Sequence, residues 1–181
     1  NGSEPWKIPD IKSLTPIETN LTEKVDGYEP FNHNKQTLAR PWALPGTPEL
    51  EHRVGGLEKW DSTGHVSYDP ENHQKMTELR QKKVDVIAKD IPKPKIFGKT
   101  RGDLLVIAWG GTHGAVRSAV EAAQESGYNV SHLHIRYINP LPENLGKLML
   151  KYQKVLIPEL NMGQLSMIIR SKFLVDAISL N

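Results

Sequence analysis

At 181 residues, with 38% hydrophobic content and a formal net charge of +2, the chain is long enough to bury one good core plus an irregular appendage. That charge balance gives no drive toward nucleic acid or an anionic membrane, and the lack of any cysteine excludes disulfides, thiolate metal sites, iron–sulfur ligation and cysteine nucleophiles. Cysteine-free composition fits a reducing, cytoplasmic compartment, and no run of about 18 apolar residues marks a membrane-spanning helix. The first residues, NGSEPWKIPDIK, contain no signal-peptide apolar core; because they begin at Asn1 rather than Met, a piece of a longer protein is expected.

Residues 1–68 read as an irregular extended arm. Proline and glycine recur in SEPWKIPDIKSLTPIE, DGYEPF and RPWALPGTPELEHRVGGLE, and neither a 2.0 nor a 3.6 period is sustained. The arm nevertheless holds Trp6, Tyr28, Phe31, Trp42, Leu44, Leu50 and Trp60, more large anchors than a disordered linker carries. An ordered segment wrapping a surface outside this sequence is expected.

YDPENHQKMTELRQKKVDVIAKDIPKP predicts a surface helix, with Asp69 as N-cap, Pro70 at the first helical position and PKP as the stop. Met76, Leu79, Val86 and Ile87 supply one thin apolar stripe. The helix is grouped with the regular region C-terminal to it, so that residues 69–181 form the second domain.

From Gly102 the pattern becomes regular. DLLVIAW (103–109) predicts a buried strand, followed by a helix that Thr112 can cap, with Ala115, Val116, Ala119, Val120 and Ala123 as its buried face and Gly127 as its stop. NVSHLHIRYI (129–138) predicts a second strand, ENLGKLMLKY a short helix, KVLIPEL (154–160) a third strand, and MGQLSMIIRSKFLVDAISL a closing helix. This alternation implies an α/β fold, with a mainly parallel sheet, right-handed crossovers and helices on both faces: a three-layer α/β/α architecture.

The GGTHG stretch between strand and helix matches neither a dinucleotide fingerprint nor a Walker loop in any register, and HIRYINP offers no acid for a ribose. Two readings remain. The amides of Gly111, Thr112 and His113 could hold an anion at the helix start, with Arg136 accepting a phosphate, as in a free-standing nucleotide- or coenzyme A-binding module using Gly110–Gly114. The preferred reading is a packing turn, in which the glycines let strand and helix approach closely.

His132 and His134, two apart on a strand, share a face and could begin a metal site. A third ligand would have to come from His52, His65, His73 or His113, none of them adjacent in sequence. The preferred reading is a structural one, with no metal and with the ring nitrogens hydrogen-bonded under a helix. The IPELNMGQL stretch places Glu159 at the end of a parallel strand, where α/β folds carry functional groups, and Asn161 and Gly163 in the following turn. No acid–base pair or Ser/His/Asp order stands out, and no catalytic residue is assigned.

Four blocks, LARPWALPGTPELEHRVGGLEK (38–59), HVSYDPENHQKMTELRQKKVDVI (65–87), YINPLPENLG (137–146) and VLIPELNMGQLSMIIRSKFLVDA (155–177), closely resemble the C-terminal part of the alpha subunit of 2-oxoacid:ferredoxin oxidoreductases, nearest to the 2-oxoglutarate type. The resemblance implies a heteromeric enzyme that converts a 2-oxoacid to its acyl-CoA. It would use thiamine diphosphate with Mg2+, a 4Fe-4S cluster, coenzyme A and ferredoxin. It further implies a domain like the C-terminal domain of transketolase, preceded by the segment joining it to an upstream thiamine-enzyme domain. The family's YPITP-like stretch is absent, and the diphosphate motif and cluster cysteines belong to the beta subunit, so no cofactor-binding residue carries over. What carries over is placement. Glu159, Asn161, Gly163 and Gln164, together with Arg40, Trp42 and His52 of the arm, are expected at an interface with that upstream domain or the beta subunit. On that reading, changing Glu159 or Asn161 would cost the domain itself little stability.

Overall fold

The computed structural model describes residues 8–17 and 19–181, so Trp6 lies outside the described residues. The chain divides into two compact units, Asn1–Ile87 and Ala88–Asn181.

In the first unit regular structure is sparse. A 3-10 turn spans Ile11–Ser13, and two short strands, β1 (Leu21–Thr22) and β2 (Trp42–Ala43), pair in parallel. Helix α1 (Pro70–Asp85) starts where the sequence places it: the Asp69 carboxylate accepts from the Asn72 amide at 2.7 Å, and Pro70 occupies the first turn. It continues as a 3-10 turn over Val86–Lys89. The helix is tied to the segment before it. The Asn72 side chain donates to the Lys59 carbonyl at 2.9 Å and accepts from the Asp61 amide at 3.2 Å. Arg80 donates to Glu58 at 3.1 Å, and His73 lies 2.9 Å from the same carboxylate. Arg80 and His73 hold the Glu58 carboxyl below its ordinary value against a smaller cost of burial. Leu50 and Met76 are the buried apolar side chains among the described residues of this unit.

The second unit is built on a five-stranded sheet of β3 (Ile96–Phe97), β4 (Gly102–Trp109), β5 (Val130–Ile135), β6 (Tyr152–Pro158) and β7 (Ala177–Leu180), in the order β3-β5-β4-β6-β7. Strands β4 to β7 are parallel and β3 is an antiparallel edge. The strand period of two splits the core cleanly. Leu105, Ile107, Leu133, Ile135, Val155 and Ile157 point to one face, under α3 (Leu145–Met149) and α4 (Gln164–Phe173). Val106, Ala108 and Val130 point to the other, under Val116 and Val120 of α2 (His113–Glu125). Helices thus cover both faces, as the alternating pattern predicts.

Three local expectations are corrected. The closing helix stops at Phe173, because Leu174 adopts a left-handed conformation (φ 54°), and the chain re-enters the sheet as β7. Thr112 does not cap α2 with its side chain. A 3-10 turn over Gly110–Thr112 leads into the helix, and the Thr112 hydroxyl donates to the Trp109 carbonyl at 2.7 Å. On α2, Ala115 and Ala119 are exposed, because the helix rests on the Val116–Val120 edge of its apolar arc. Gly127, at φ 87°, follows the end of α2 as expected.

Candidate functional site at the carboxyl end of the sheet

From β4 the chain steps to β5 on one side and then crosses to β6 on the other, so strand order reverses between β4 and β6. The crevice beyond the carboxyl ends of those strands is the position where open α/β sheets place ligands. Here it is a space of about 220 Å3 bounded by Trp109, Gly110, Gly111, Thr112, Leu160 and Asn161. Gly110 needs its positive φ of 60°, but a Cβ at Gly110, Gly111 or Gly114 would meet nothing within 4 Å. The close-approach reading of these glycines is therefore corrected: backbone conformation at Gly110 requires one of them, and open space surrounds the rest.

Glu159 lies directly before Leu160 in the chain, behind that lining. It is 4% exposed, and its carboxylate accepts from Trp109 Nε1 (3.1 Å), Asn161 Nδ2 (3.0 Å) and the amides of Leu165 and Ser166 (both 3.0 Å). Burial pushes its pKa up, but the two helix amides, Asn161 and Trp109 outweigh that and hold it below the ordinary carboxylate value. Asn161 Oδ1 accepts from the amides of Gly163 (2.8 Å) and Gln164 (3.0 Å). Gly163 sits at φ 83°, where a Cβ would lie 2.8 Å from Ser179 Oγ and 2.9 Å from Ser166 Oγ. Between them Glu159 and Asn161 satisfy four free amides at the start of α4, a double cap. The expectation that Glu159 is dispensable to the domain is overturned by this bonding. The apolar members of the turn point outward instead: Leu160 is 93% exposed and Met162 83%. Polar groups face in and apolar groups face out, the reverse of an ordinary surface turn.

In the first unit, Arg40, Trp42 and His52 line one cavity of about 460 Å3 with Leu44 and Leu50. The Arg40 guanidinium lies 4.1 Å over the Phe31 ring, and His52 Nδ1 is 2.8 Å from the Leu50 carbonyl. Trp42 is 67% exposed.

The histidines give a result that sequence spacing could not. Parallel pairing sets His132 beside Val106 and His134 beside Ala108, on the face covered by α2. There they meet His113 at the first turn of that helix, with ring centroids 5.6 Å (113–132), 4.8 Å (113–134) and 6.0 Å (132–134) apart. His132 Nε2 and His134 Nδ1 are buried without a hydrogen-bond partner among the described residues, which corrects the expectation that these rings are bonded. No group of three or more His, Cys, Asp or Glu among the described residues has metal-holding geometry.

Burial, then His113, His134 and Arg117, push the His132 pKa down from 6.5 to about 4. Between those values the unfolded chain binds a proton that the folded chain refuses. Stability from this site is therefore complete above pH 6.5 and is lost as pH falls toward 4. Urea unfolding should weaken on going from pH 6.5 to pH 5, before the carboxylates protonate, and His132→Gln should flatten that slope. A wild-type profile level across this interval would contradict the assignment.

Residues 102–178 match the family described as pyruvate:ferredoxin oxidoreductase core domain II. The chain is 45% identical over 180 residues to the 2-oxoglutarate oxidoreductase subunit KorA of Mycobacterium tuberculosis, covering 99% of this chain and 27% of that protein. It is 35% identical over 172 residues to 2-oxoacid:ferredoxin oxidoreductase 1, subunit alpha, of Sulfurisphaera tokodaii, covering 92% of this chain and 26% of that one. A solved structure of 2-oxoglutarate:ferredoxin oxidoreductase from Magnetococcus marinus, with 2-oxoglutarate, coenzyme A and succinyl-CoA bound, superposes with a TM-score of 0.84 at 28% identity, covering 94% of this chain and 30% of that chain. This chain thus spans about a quarter of the length of these curated relatives. The mainly parallel sheet and these matches agree: residues 102–178 match the pyruvate:ferredoxin oxidoreductase core domain II family, within a chain similar along nearly its whole length to the alpha subunits of 2-oxoacid:ferredoxin oxidoreductases.

Proposed function

We propose that the chain is the part of a 2-oxoglutarate-type 2-oxoacid:ferredoxin oxidoreductase alpha subunit that holds the assembly together without taking part in the chemistry. The whole enzyme would oxidatively decarboxylate a 2-oxoacid to its acyl-CoA and pass the electrons to ferredoxin in the cytoplasm. Residues 1–68 would run along an upstream thiamine-enzyme domain, with helix α1 held to them in the first compact unit, and the sheet-bearing unit would meet that domain or the beta subunit. The observation carrying the reading is the inverted turn, in which Glu159 and Asn161 are consumed internally while Leu160 and Met162 are offered to a neighbour. The arm supports it in the same way, with Trp42, Val54 and Tyr68 each at least 67% exposed.

Two of the groups implied by the family, magnesium thiamine diphosphate and a 4Fe-4S cluster, do not fit the residues described at this turn. A magnesium–diphosphate site needs free carboxylate or carbonyl oxygens, and both oxygens of Glu159 are engaged. A 4Fe-4S cluster needs thiolates, and the sequence has no cysteine. No step is assigned to this chain through either group. In the assembled enzyme, Leu160→Ser with Met162→Ser should lower the yield of complex several-fold while leaving the 2-oxoglutarate-dependent, coenzyme A-dependent reduction of ferredoxin per assembled complex unchanged. Intact assembly with lost turnover would instead place the turn in the reaction centre.

A further inference from the structure

We propose that the second unit carries a binding site for a small phosphate ester in the cavity between the 92–97 segment, the start of α2 and the end of β5. This site is independent of the assembly role and shares no lining residue with the Trp109–Asn161 crevice.

The cavity has a volume of about 480 Å3 and a cationic wall. Lys93 and Lys95 come from the segment leading into β3, Arg117 from α2 and Arg136 from the residue after β5, and no carboxylate lines the space. Among the described residues, Lys93, Lys95 and Arg136 take part in no ion pair. Arg117 reaches Glu121 at 2.7 Å, while its guanidinium lies 3.1 Å over the Phe97 ring, which holds its charge at the wall. Gathering three unpaired cations, Lys93, Lys95 and Arg136, beside the Arg117–Glu121 pair around one concavity is unfavourable unless a further anion offsets it.

The second observation is His134. Its ring lines the cavity, and its buried Nδ1 has no hydrogen-bond partner among the described residues. Behind it lies His132, 2% exposed and with Nε2 also unpartnered. Three clustered imidazoles would ordinarily suggest a divalent metal. The surrounding Lys93, Lys95, Arg117 and Arg136 repel one, and the same field attracts an anion. A phosphate ester supplies several acceptor oxygens at once, matching the arginine forks, the lysines and an imidazole that can donate once protonated. The remaining volume, walled by Phe97, Tyr137 and Pro142, takes the organic part of the ester.

The test is titration calorimetry on the intact protein that carries this sequence, near pH 7. Three probes are used: inorganic phosphate, glycerol 3-phosphate, and adenosine 3′,5′-bisphosphate. The last two separate a small ester from a nucleotide. Saturable binding of at least one probe is expected, weakened about tenfold by Arg136→Ala. Arg136 is exposed, so that variant keeps the fold.

Burial, then His113 and Arg136, hold the His134 pKa below its ordinary value. An anion reverses that balance, so binding should take up protons, as measured from the heats in two buffers of different ionisation enthalpy. The groups facing His134 are His113 and Arg117 from α2, Lys95 beside β3, and His132 and Arg136 from its own strand and the residue beyond it. His134→Gln should abolish the uptake; should that variant fail to fold, uptake by the wild type remains the readout. No saturable heat with any probe would overturn the site. So would binding that neither takes up protons nor responds to Arg136→Ala.

Discussion

Ile157→Ala should cost the sheet-bearing unit about 2–5 kcal/mol of unfolding free energy. Ile157 is fully buried on β6, between β4 and β7, and belongs to the cluster that includes Leu105, Leu165 and Ile169. Removing its side chain opens a space flanked by two strands and a helix, none of which can close without breaking ladder hydrogen bonds, so the cavity cost adds to the lost transfer energy. Leu156, one residue away on the opposite face, is only partly buried, and its truncation should cost distinctly less. Urea unfolding of both variants measures the contrast. Equal losses, or a loss below about 1 kcal/mol at Ile157, would mean that the core is not organised around this face.

Glu159→Ala should be comparably damaging, by about 3–5 kcal/mol, even though it removes a single acidic side chain near the surface end of a strand. The carboxylate accepts four donors, two of them amides in the first turn of α4, and alanine would leave those buried amides and the part-buried Trp109 Nε1 without their acceptor. Glu159→Gln keeps one acceptor but aims an NH2 group at a helix amide, so its cost should fall between wild type and alanine. Leu160→Ser, at 93% exposure, should change stability by only a few tenths of a kcal/mol. If Glu159→Ala unfolds like Leu160→Ser, the double cap is not a structural element.

Much of the fold was legible because it depended on local rules. The Asp69–Pro70 start of α1 and the Gly127 stop of α2 are one-residue devices, and the strand–helix alternation from Gly102 onward is a pattern of period and length. Elements decided by tertiary contact were not legible. VDAISL joins the preceding helical run in sequence, and only the left-handed Leu174 and the open edge of β6 make it a strand. Ile96–Phe97, pinned behind two prolines, is too short to show a period, yet it becomes the antiparallel edge.

At the site, the sequence singled out Glu159 and Asn161 but misread the direction in which they work. Nothing in IPELNMGQL reveals that Trp109, 50 residues earlier, closes over the carboxylate. The imidazole cluster was similarly half visible. The two-residue spacing of His132 and His134 predicts a shared face, whereas His113 joins them because α2 begins directly over that face of the sheet.

Hydroxyl-radical footprinting of Trp42, Leu160 and Met162, in the 181-residue chain and in the assembled enzyme, reads the central matter most directly. These side chains should oxidise readily in the isolated chain and become strongly protected on assembly. Equal oxidation in the two states would mean that no neighbour covers them, and the scaffold role would have to be given up.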